Sequence, residues 1–164
     1  MTWIYPISGW DTYGTPVGDH PGAFGVRRKH NIHEGVDIYC DDGARVRAVE
    51  DGVVSNICWF TGPFAGSPWW RPTMAVMVEG ATGLVVYGEV SHVRPGNIDV
   101  GAQVRAGQHI GYVTRVLKKD KGKPTSMLHI ELRAHGHTES SVWELDQPKP
   151  DWLLDPTPYL LETR

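Results

Sequence analysis

Short runs of alternating apolar and polar residues, separated by glycine-bearing turns, constrain the fold of this chain more than any other feature. The runs are ARVRAV, VVSNICWF, TMAVMVEG, LVVYGEVS and SMLHIELR. Alternation with a period of two is typical of a strand that buries one face. The chain also has 19 glycines and 12 prolines, which favour turns over long helices. The sequence therefore predicts an all-β fold with little helix.

The turns between these runs predict which strands pair. EDG separates ARVRAV from VVSNICWF, and ATG separates TMAVMVEG from LVVYGEVS, so two hairpins are expected. A glycine turn inside AQVRAGQHIGYVTRV predicts a further strand pair. SMLHIELR is expected to form a last strong strand before the proline-rich segment QPKPDWLLDPTPYL.

Length and charge limit the classes of protein to consider. With 164 residues, the chain has the length of one domain with its own core. A formal net charge of −3 gives no general attraction to nucleic acid or to an anionic membrane, and no apolar run is long enough to span a bilayer. Two cysteines, Cys40 and Cys58, leave both one disulfide and two buried thiols open.

Two strands have faces that matter for function. In MLHIELR the apolar face holds Leu128, Ile130 and Leu132. The opposite face holds Met127, His129, Glu131 and Arg133. Because successive side chains of a strand point to opposite sides, His129 is expected to face away from the core.

The same reasoning applies to LVVYGEVS. One face is expected to carry Leu84, Val86 and Val90. The other is expected to carry Val85, Tyr87, Glu89 and Ser91. If both strands belong to one sheet, then His129, Glu89 and Tyr87 line one side of a cleft.

A further pair of polar residues lies near the start of the chain, in AFGVRRKHNIHEGVDIYC. His33 and Asp37 flank Gly35, which would let the backbone bend so that the two side chains converge. Imidazole nitrogen and carboxylate oxygen both bind zinc, and catalytic zinc sites use three protein ligands, so a distant third histidine could complete the set. Alone, the HxxxD spacing is a weak motif, and an ordinary surface histidine explains it equally well.

Four segments together resemble a known family. FGVRRKHNIHEGVD resembles the first motif of the lysostaphin and LytM family of zinc endopeptidases, in which a histidine and an aspartate of an HxGxD-like segment bind the metal. VVYGEVS resembles the second motif of that family, AGQHIGYV its glycine turn, and SMLHIELR its final HxH strand. The order and spacing match from about Phe24 to Arg133, and DPTPYL resembles common tail sequences.

The resemblance implies a mostly antiparallel β-sandwich with long loops, formed by a single domain over residues 1–164. It implies a core at about 24–133, an N-terminal extension at 1–23 and a C-terminal tail at 134–164. It also implies one Zn²⁺ per chain, bound by His33, Asp37 and His129.

The chain departs from the family at two positions. Glu89 and Met127 stand where the family usually has catalytic histidines that do not bind the metal. A carboxylate can act as the general base, so Glu89 is a plausible substitute. A thioether cannot donate a proton, and losing such a donor commonly costs about 10²- to 10³-fold in rate. Tyr87 is the candidate to supply a hydroxyl instead, whereas His92 is expected to be structural.

Other residues are candidates for the substrate groove. His30, Met127 and Glu131 are neighbours of the expected ligands in sequence or on the strand face. The insert CWFTGPFAGSPWWRP contributes Trp59, Trp69 and Trp70, and exposed aromatic side chains beside a cleft suit stacking on a peptide or a sugar. These rings could equally pack on one another in a small satellite core. The only charge run, KKDKGK, is expected to be a solvated loop.

The function that the resemblance implies is zinc-dependent hydrolysis of peptide bonds in peptidoglycan cross-links. The alternative is a catalytically degenerate zinc-binding module that recognises a peptide, glycan or protein. A third interpretation, a lipoyl-type hairpin domain, rests only on VRAGQHIG, and the turn lacks the lysine that such a carrier displays. The oligomeric state is open.

The location of the protein is a further expectation. The opening residues MTWIYPISGWDTYG have no basic region followed by an apolar stretch, so no secretory signal is predicted in the chain as given. A cytoplasmic chain is therefore expected, unless a phage, a secretion system or a trimmed signal brings it to the cell wall.

Overall fold

The computed structural model describes residues 2–8, 14–140 and 142–163. Within them the strands are β1 (Val36–Tyr39), β2 (Arg45–Arg47), β3 (Gly52–Thr61), β4 (Thr73–Gly80), β5 (Leu84–Val90), β6 (Gln103–Val104), β7 (His109–Tyr112), β8 (Met127–Arg133) and β9 (Leu153–Leu154). The helical segments are a 3₁₀ turn, Pro63–Ala65, and one short helix, α1 (Thr157–Leu161). The prediction of an all-β fold with little helix is confirmed.

The strands form two antiparallel sheets. The larger has the order β1-β8-β5-β4-β3-β6, with β9 also paired to β8, and the smaller consists of β2 and β7. Val46 of β2 and Ile110 of β7 pack in one cluster with Val76, Val85 and Ile130 of the large sheet. One face of the large sheet therefore covers the small sheet, and its other face remains available for a groove.

Two further predictions concern the whole chain. Among the described residues, no helix is both long and apolar enough to cross a membrane. The predicted domain, 1–164, includes residues 1, 9–13, 141 and 164, which lie outside the described residues. Its division into core, extension and tail stays a prediction. Cys40 and Cys58 are both free thiols.

Only one of the predicted strand pairs forms as expected. β4 and β5 form the predicted hairpin, closed by a hydrogen bond from the Gly80 amide to the Gly83 carbonyl. β2 pairs with β7 rather than with β3, and β6 pairs with β3 rather than with β7. The EDG turn and the Gly107 turn thus each carry the chain from one sheet to the other, so their flanking strands do not meet.

The two strands that were expected to face the site differ in outcome. In β8 the alternation is as predicted, with Leu128, Ile130 and Leu132 in the main core. In β5 the predicted face of Tyr87 is wrong. Its side chain is 1% exposed within the main core, and its hydroxyl accepts a hydrogen bond from the Val49 amide at 2.9 Å.

A β-bulge at Glu89 explains this difference. Gly88 pairs with Ala75 and Val90 pairs with Met74, so Glu89 is an extra residue without a partner, and its φ is 64°. An extra residue reverses the alternation beyond it. Tyr87 and Val90 consequently both pack in the main core, whereas Glu89 lines the groove on the other side of the sheet.

Gly35 is required because the segment before β1 approaches β8 closely at this residue, and not because the backbone bends there. A Cβ atom at Gly35 would lie 2.5 Å from the Ile130 carbonyl oxygen and 2.9 Å from both His129 Cε1 and Glu131 Cγ. The φ of Gly35 is not in the left-handed region, so the sequence-based reason for this glycine is replaced by a steric one. The missing side chain lets the segment before β1 lie directly against β8.

We expect Gly35→Ala to lower the free energy of unfolding by about 1–3 kcal/mol, because the added methyl group displaces the backbone of β8. Gly96→Ala is the matched control, since a Cβ there meets nothing within 4 Å. Urea denaturation of both variants measures the difference. Equal stability of the two variants would contradict the close approach of the two segments.

Candidate metal centre and groove

Three buried side chains converge where β1 meets β8. Asp37 of β1 lies directly opposite His129 of β8, and His33 comes from the segment just before β1. Their donor atoms all lie within 4.8 Å of one another, and the residues are 3%, 4% and 8% exposed for His33, Asp37 and His129. The structure thus brings together the three residues that the sequence predicted as ligands.

The orientation of His33 suits a metal ligand. Its Nδ1 lies 2.8 Å from the Ala23 carbonyl oxygen, which can only accept, so Nδ1 carries the proton. Its Nε2 is buried without a hydrogen-bond partner and lies 3.2 Å from Asp37 Oδ2, and in the neutral ring this nitrogen offers a lone pair to a metal. Metal-binding histidines usually hold their other ring nitrogen in this way.

Asp37 and His129 are joined by a short hydrogen bond. His129 Nδ1 lies 2.7 Å from Asp37 Oδ1. Burial acts to raise the pKa of Asp37, but the hydrogen bond and the charge of His129 outweigh it and hold the pKa well below its usual range. Burial acts to lower the pKa of His129, but its bonds to Asp37 and Glu131 raise the pKa well above its ordinary value. The site therefore stabilises an anionic Asp37 next to a positive charge.

This donor set fits a zinc ion. Two imidazole nitrogens and one carboxylate oxygen are the combination found in catalytic zinc sites with one open position. The unpartnered Nε2 of His33 and the positive charge favoured beside Asp37 both mark a place for a cation. His33, Asp37 and His129 are the residues that would hold it.

A chain of buried charges supports His129 from behind. Its Nε2 lies 2.7 Å from Glu131 Oε1, and Glu131 Oε2 accepts hydrogen bonds from Arg133 at 2.9 Å and 2.8 Å. Arg133 is 1% exposed and also donates to the carbonyl oxygens of His137 and Glu139. Glu131, predicted as a groove residue, does border the groove, but its carboxylate orients His129.

Glu89 is the other buried carboxyl group at the centre. It is 9% exposed, and its Oε2 atom has no hydrogen-bond partner. Burial and the negative charge of Asp37 raise the pKa of Glu89 to about 8. The bulge in β5 thus places an unpartnered carboxyl group beside the candidate ligands.

Two cavities of about 440 and 420 Å³ meet at the centre. Both are lined by Arg28, Asp37, Glu89 and Trp70. The first continues past Met127, and the second continues past Trp59. Together they form one groove that crosses the candidate metal centre.

Some predicted groove residues lie elsewhere. His30 is exposed in the 27–32 loop and does not line either of the two cavities that form the groove, so its role in the groove stays a prediction. Trp69 is 64% exposed and lines a separate cavity together with Trp70. Tyr87 is excluded from the groove because it packs in the core on the opposite face of the sheet.

Sequence reasoning missed two residues at the centre. Arg28 donates to Asp37 Oδ2 at 2.8 Å and lines both halves of the groove. The Phe60 ring lies 5.3 Å from the His129 ring and packs against Gly88, where a Cβ would lie 2.7 Å from the ring. Arg28 lies in the segment FGVRRKHNIHEGVD, but its position in the sequence does not indicate an ion pair with Asp37. Phe60 belongs to the aromatic insert, whose alternation indicates no particular partner.

Comparison with known proteins gives a family match. The model of peptidase family M23 matches residues 31–140, which include the three candidate ligands and Glu89. No match was found among curated protein sequences.

Solved structures give a consistent match in fold. The chain is similar to the catalytic domain of the antimicrobial peptidase lysostaphin from Staphylococcus simulans, with 20% identity, a TM-score of 0.58, and coverage of 96% of this chain and 98% of that one. It is similar to CbpA from L. salivarius REN, with 22% identity, a TM-score of 0.59, and coverage of 98% and 97%. It is also similar to the catalytic domain of an A109H mutant of the prophage-encoded M23 protein EnpA from Enterococcus faecalis, with 20% identity, a TM-score of 0.56, and coverage of 90% and 98%.

We expect Arg133→Met to lower the free energy of unfolding by about 1–3 kcal/mol, because it removes the hydrogen bonds of Arg133 to the buried Glu131 carboxylate and leaves His129 as its cationic partner. Arg105→Met is the matched control, since Arg105 is exposed in the Gly107 turn. Urea denaturation of metal-free protein measures both. A loss no larger than that of the control would show that the Glu131–Arg133 pair does not stabilise this part of the sheet.

Proposed function

The chain belongs to peptidase family M23, and from the geometry of its groove we propose that it is a zinc-dependent hydrolase of peptide bonds in peptidoglycan cross-links. The observation that carries the proposal is the convergence of three buried donors at the middle of an open groove. A peptide laid along the groove passes directly over these donors. Family membership supports peptide-bond hydrolysis, and the resemblance of the four sequence motifs to the lysostaphin and LytM family supports a cell-wall peptide as substrate.

His33, Asp37 and His129 are the proposed zinc ligands, and Glu131 is the residue that orients His129. Zinc, when bound, supplies a Lewis acid that polarises a carbonyl group and lowers the pKa of water. Arg28 donates a hydrogen bond to Oδ2 of Asp37, and a carboxylate oxygen of Glu131 is hydrogen-bonded to Nε2 of His129. These contacts keep the donors aimed at a common point before substrate arrives.

Glu89 is the proposed general base. It borders both halves of the groove, lies close enough to Asp37 to feel its charge, and has a carboxylate oxygen with no other hydrogen-bond partner. Burial and Asp37 raise its pKa to about 8, and a cation held by the three donors would favour the ionised form. The ionised carboxylate takes a proton from the attacking water and returns it to the leaving amine. The Glu89 carboxylate would thus take the catalytic role that a histidine usually has in this family.

Arg28 is the proposed replacement for Tyr87 in stabilising the developing negative charge. Its guanidinium borders both halves of the groove, and its bonds to Asp37 and Pro21 are made through Nη2. Nη1 and Nε therefore remain as donors toward a substrate oxygen. This assignment is needed because the Tyr87 hydroxyl is committed to Val49 on the far side of the sheet.

The second candidate function is a zinc-binding module without hydrolytic activity. Met127 favours it, because this residue lines the groove two positions from His129 and supplies neither a proton nor a hydrogen bond to an oxyanion. In that case the groove would bind a peptide and release it uncleaved. The two candidates differ in turnover and not in metal binding.

We expect the purified protein to bind about one zinc per chain and to melt at a higher temperature with zinc than after chelation, since a ligand that binds only the folded state stabilises it. His129→Ala should abolish both effects. Zinc content by elemental analysis and thermal unfolding provide the two readouts.

His92→Ala is the control for zinc binding, because His92 is exposed just after β5 and away from the three donors. This variant should bind zinc as the wild type does. Equal loss of zinc in both variants would contradict the proposed metal centre. A wild type that binds no zinc at neutral pH would contradict it as well.

We expect Glu89→Gln to retain zinc and to lose about 10²-fold or more in turnover of peptidoglycan, because the substitution keeps the shape of the side chain and removes its proton acceptor. Release of new amino groups from purified peptidoglycan measures turnover. Full activity in Glu89→Gln would exclude Glu89 as the base.

Met127→His distinguishes the hydrolase from the binding module. If a missing donor limits the rate, the histidine should raise turnover, because it adds a group that can bind the oxyanion or donate a proton. A wild type that is inert on every peptidoglycan preparation, together with an inert Met127→His variant, would leave the binding module as the better account.

A further inference from the structure

Tyr39 lines the groove and has no role among the catalytic groups assigned to it. It is the last residue of β1, is half-buried, and borders the half of the groove that continues past Met127. The register of β1 and β8 sets Tyr39 directly opposite Met127, just as it sets Asp37 opposite His129. Tyr39 therefore lies beside the position at which the family usually has a catalytic histidine.

The strand geometry places Tyr39 and Met127 on the same face of the sheet. Residues directly opposite each other in an antiparallel pair have their Cβ atoms only about 4.5–5.5 Å apart. Ile38 and Leu128, the adjacent residues of the two strands, pack in the main core on the other face. A functional group on Tyr39 thus borders the same space as a functional group at position 127 would.

The Tyr39 hydroxyl is available to a substrate. Among the residues that the structure describes, it has no hydrogen-bond partner, whereas the Tyr87 hydroxyl is committed to the Val49 amide. The charges of Asp37 and Glu89 both act on the Tyr39 phenol, so it lies within electrostatic range of the candidate metal centre. The hydroxyl is therefore a free donor on the groove face of the sheet.

A neighbouring turn holds the Tyr39 ring in place. The His20 ring lies 5.5 Å from it, tilted by 47°, and His20 Nδ1 accepts a hydrogen bond from the Gly22 amide at 3.0 Å. The Gly22 carbonyl in turn accepts the Asp37 amide at 2.8 Å. The turn that packs against the ring is thus tied to the strand that carries a candidate ligand, and a side chain held by packing presents its functional group precisely.

The other donors in this half of the groove are less well placed. Arg27 and Lys123 border it as well, but both are exposed, and Arg27 is paired with Asp146 at 3.2 Å. Neither residue belongs to a strand. Tyr39 is the donor that the sheet itself positions next to Met127.

We propose that Tyr39 is a catalytic residue, whose hydroxyl donates a hydrogen bond to the oxygen of the scissile carbonyl as negative charge develops there. Arg28 supplies one donor to this oxygen, and Tyr39 supplies a second one beside Met127. A developing oxyanion is stabilised most by donors that are already in place before the reaction. The proposal rests on the proposed function, because such an oxyanion forms only if the protein hydrolyses an amide.

The kinetic test is Tyr39→Phe, which removes the hydroxyl and keeps the ring that packs against His20. On soluble cross-linked peptidoglycan fragments, we expect kcat to fall about 10²-fold and KM to change less than about twofold, because the hydrogen bond forms in the transition state. Zinc content and stability in urea should stay as in the wild type. Tyr112→Phe is the matched control, since Tyr112 lies in the small sheet and lines neither cavity of the groove.

A double variant tests whether Tyr39 fills the place of the missing histidine. If both side chains serve the same oxygen, Met127→His should raise turnover by a larger factor in Tyr39→Phe than in the wild type. The same factor in both backgrounds would show that the two positions act independently and would contradict the shared role.

A binding test does not depend on turnover. The probes are acetyl-D-alanyl-D-alanine amide and its phosphinate analogue, in which a PO₂–CH₂ unit replaces the central amide and imitates the charged tetrahedral oxygen. Calorimetry with zinc-loaded protein should show that Tyr39→Phe binds the phosphinate about tenfold more weakly and binds the amide unchanged. Tyr112→Phe should bind both probes as the wild type does.

The outcomes distinguish this proposal from the proposed function. Full kcat in Tyr39→Phe, a loss confined to KM, or unchanged affinity for the phosphinate would overturn the role of Tyr39 even in an active hydrolase. Loss of zinc or of stability in Tyr39→Phe would also overturn it and make the hydroxyl structural, and so would a wild type that does not bind the phosphinate. Conversely, a protein without turnover whose phosphinate affinity depends on the hydroxyl would support the hydrogen bond from Tyr39 and remove only the hydrolase.

Discussion

The pairing of β1 with β8 is the constraint on which the rest of this structure depends. It sets Asp37 opposite His129, where the two side chains share a hydrogen bond of 2.7 Å inside the protein. Buried charges are costly unless they are paired, so this contact requires Glu131 behind His129 and Arg133 behind Glu131. The same network that closes the edge of the sheet thereby aims three donors at one point in the groove.

A single irregularity in β5 adds a reactive group to that centre. The bulge at Glu89 has a left-handed φ, which is unfavourable for a residue with a side chain and persists only where the surroundings impose it. Without this extra residue, the carboxyl group would share a face with Tyr87 and point into the core. The left-handed conformation of Glu89 thus places its carboxyl group on the groove face, whereas Tyr87, two positions earlier, packs in the core.

The groove extends to both sides of the candidate metal centre. The metal centre lies where two cavities meet, so substrate can extend on both sides, past Met127 in one direction and past Trp59 in the other. Trp70 lines both of these cavities. Met127 supplies no proton to a reaction in the groove, but the three donors and the groove itself are intact.

The sequence by itself determined the all-β class, the β4–β5 hairpin and the inward and outward faces of β8, because these follow from local turns and from an alternation with one apolar face. It also indicated His33, Asp37 and His129, through their resemblance to family motifs. Only the tertiary structure decided the sheet partners of β2, β3, β6 and β7, the burial of Tyr87, and the contact of Arg28 with Asp37. Every residue of β5 is buried, so its sequence does not indicate which face of the strand meets the groove. The alternation of apolar and polar residues also does not indicate where a bulge lies. Pairing between distant segments depends on the packing of the whole chain, which no local pattern encodes.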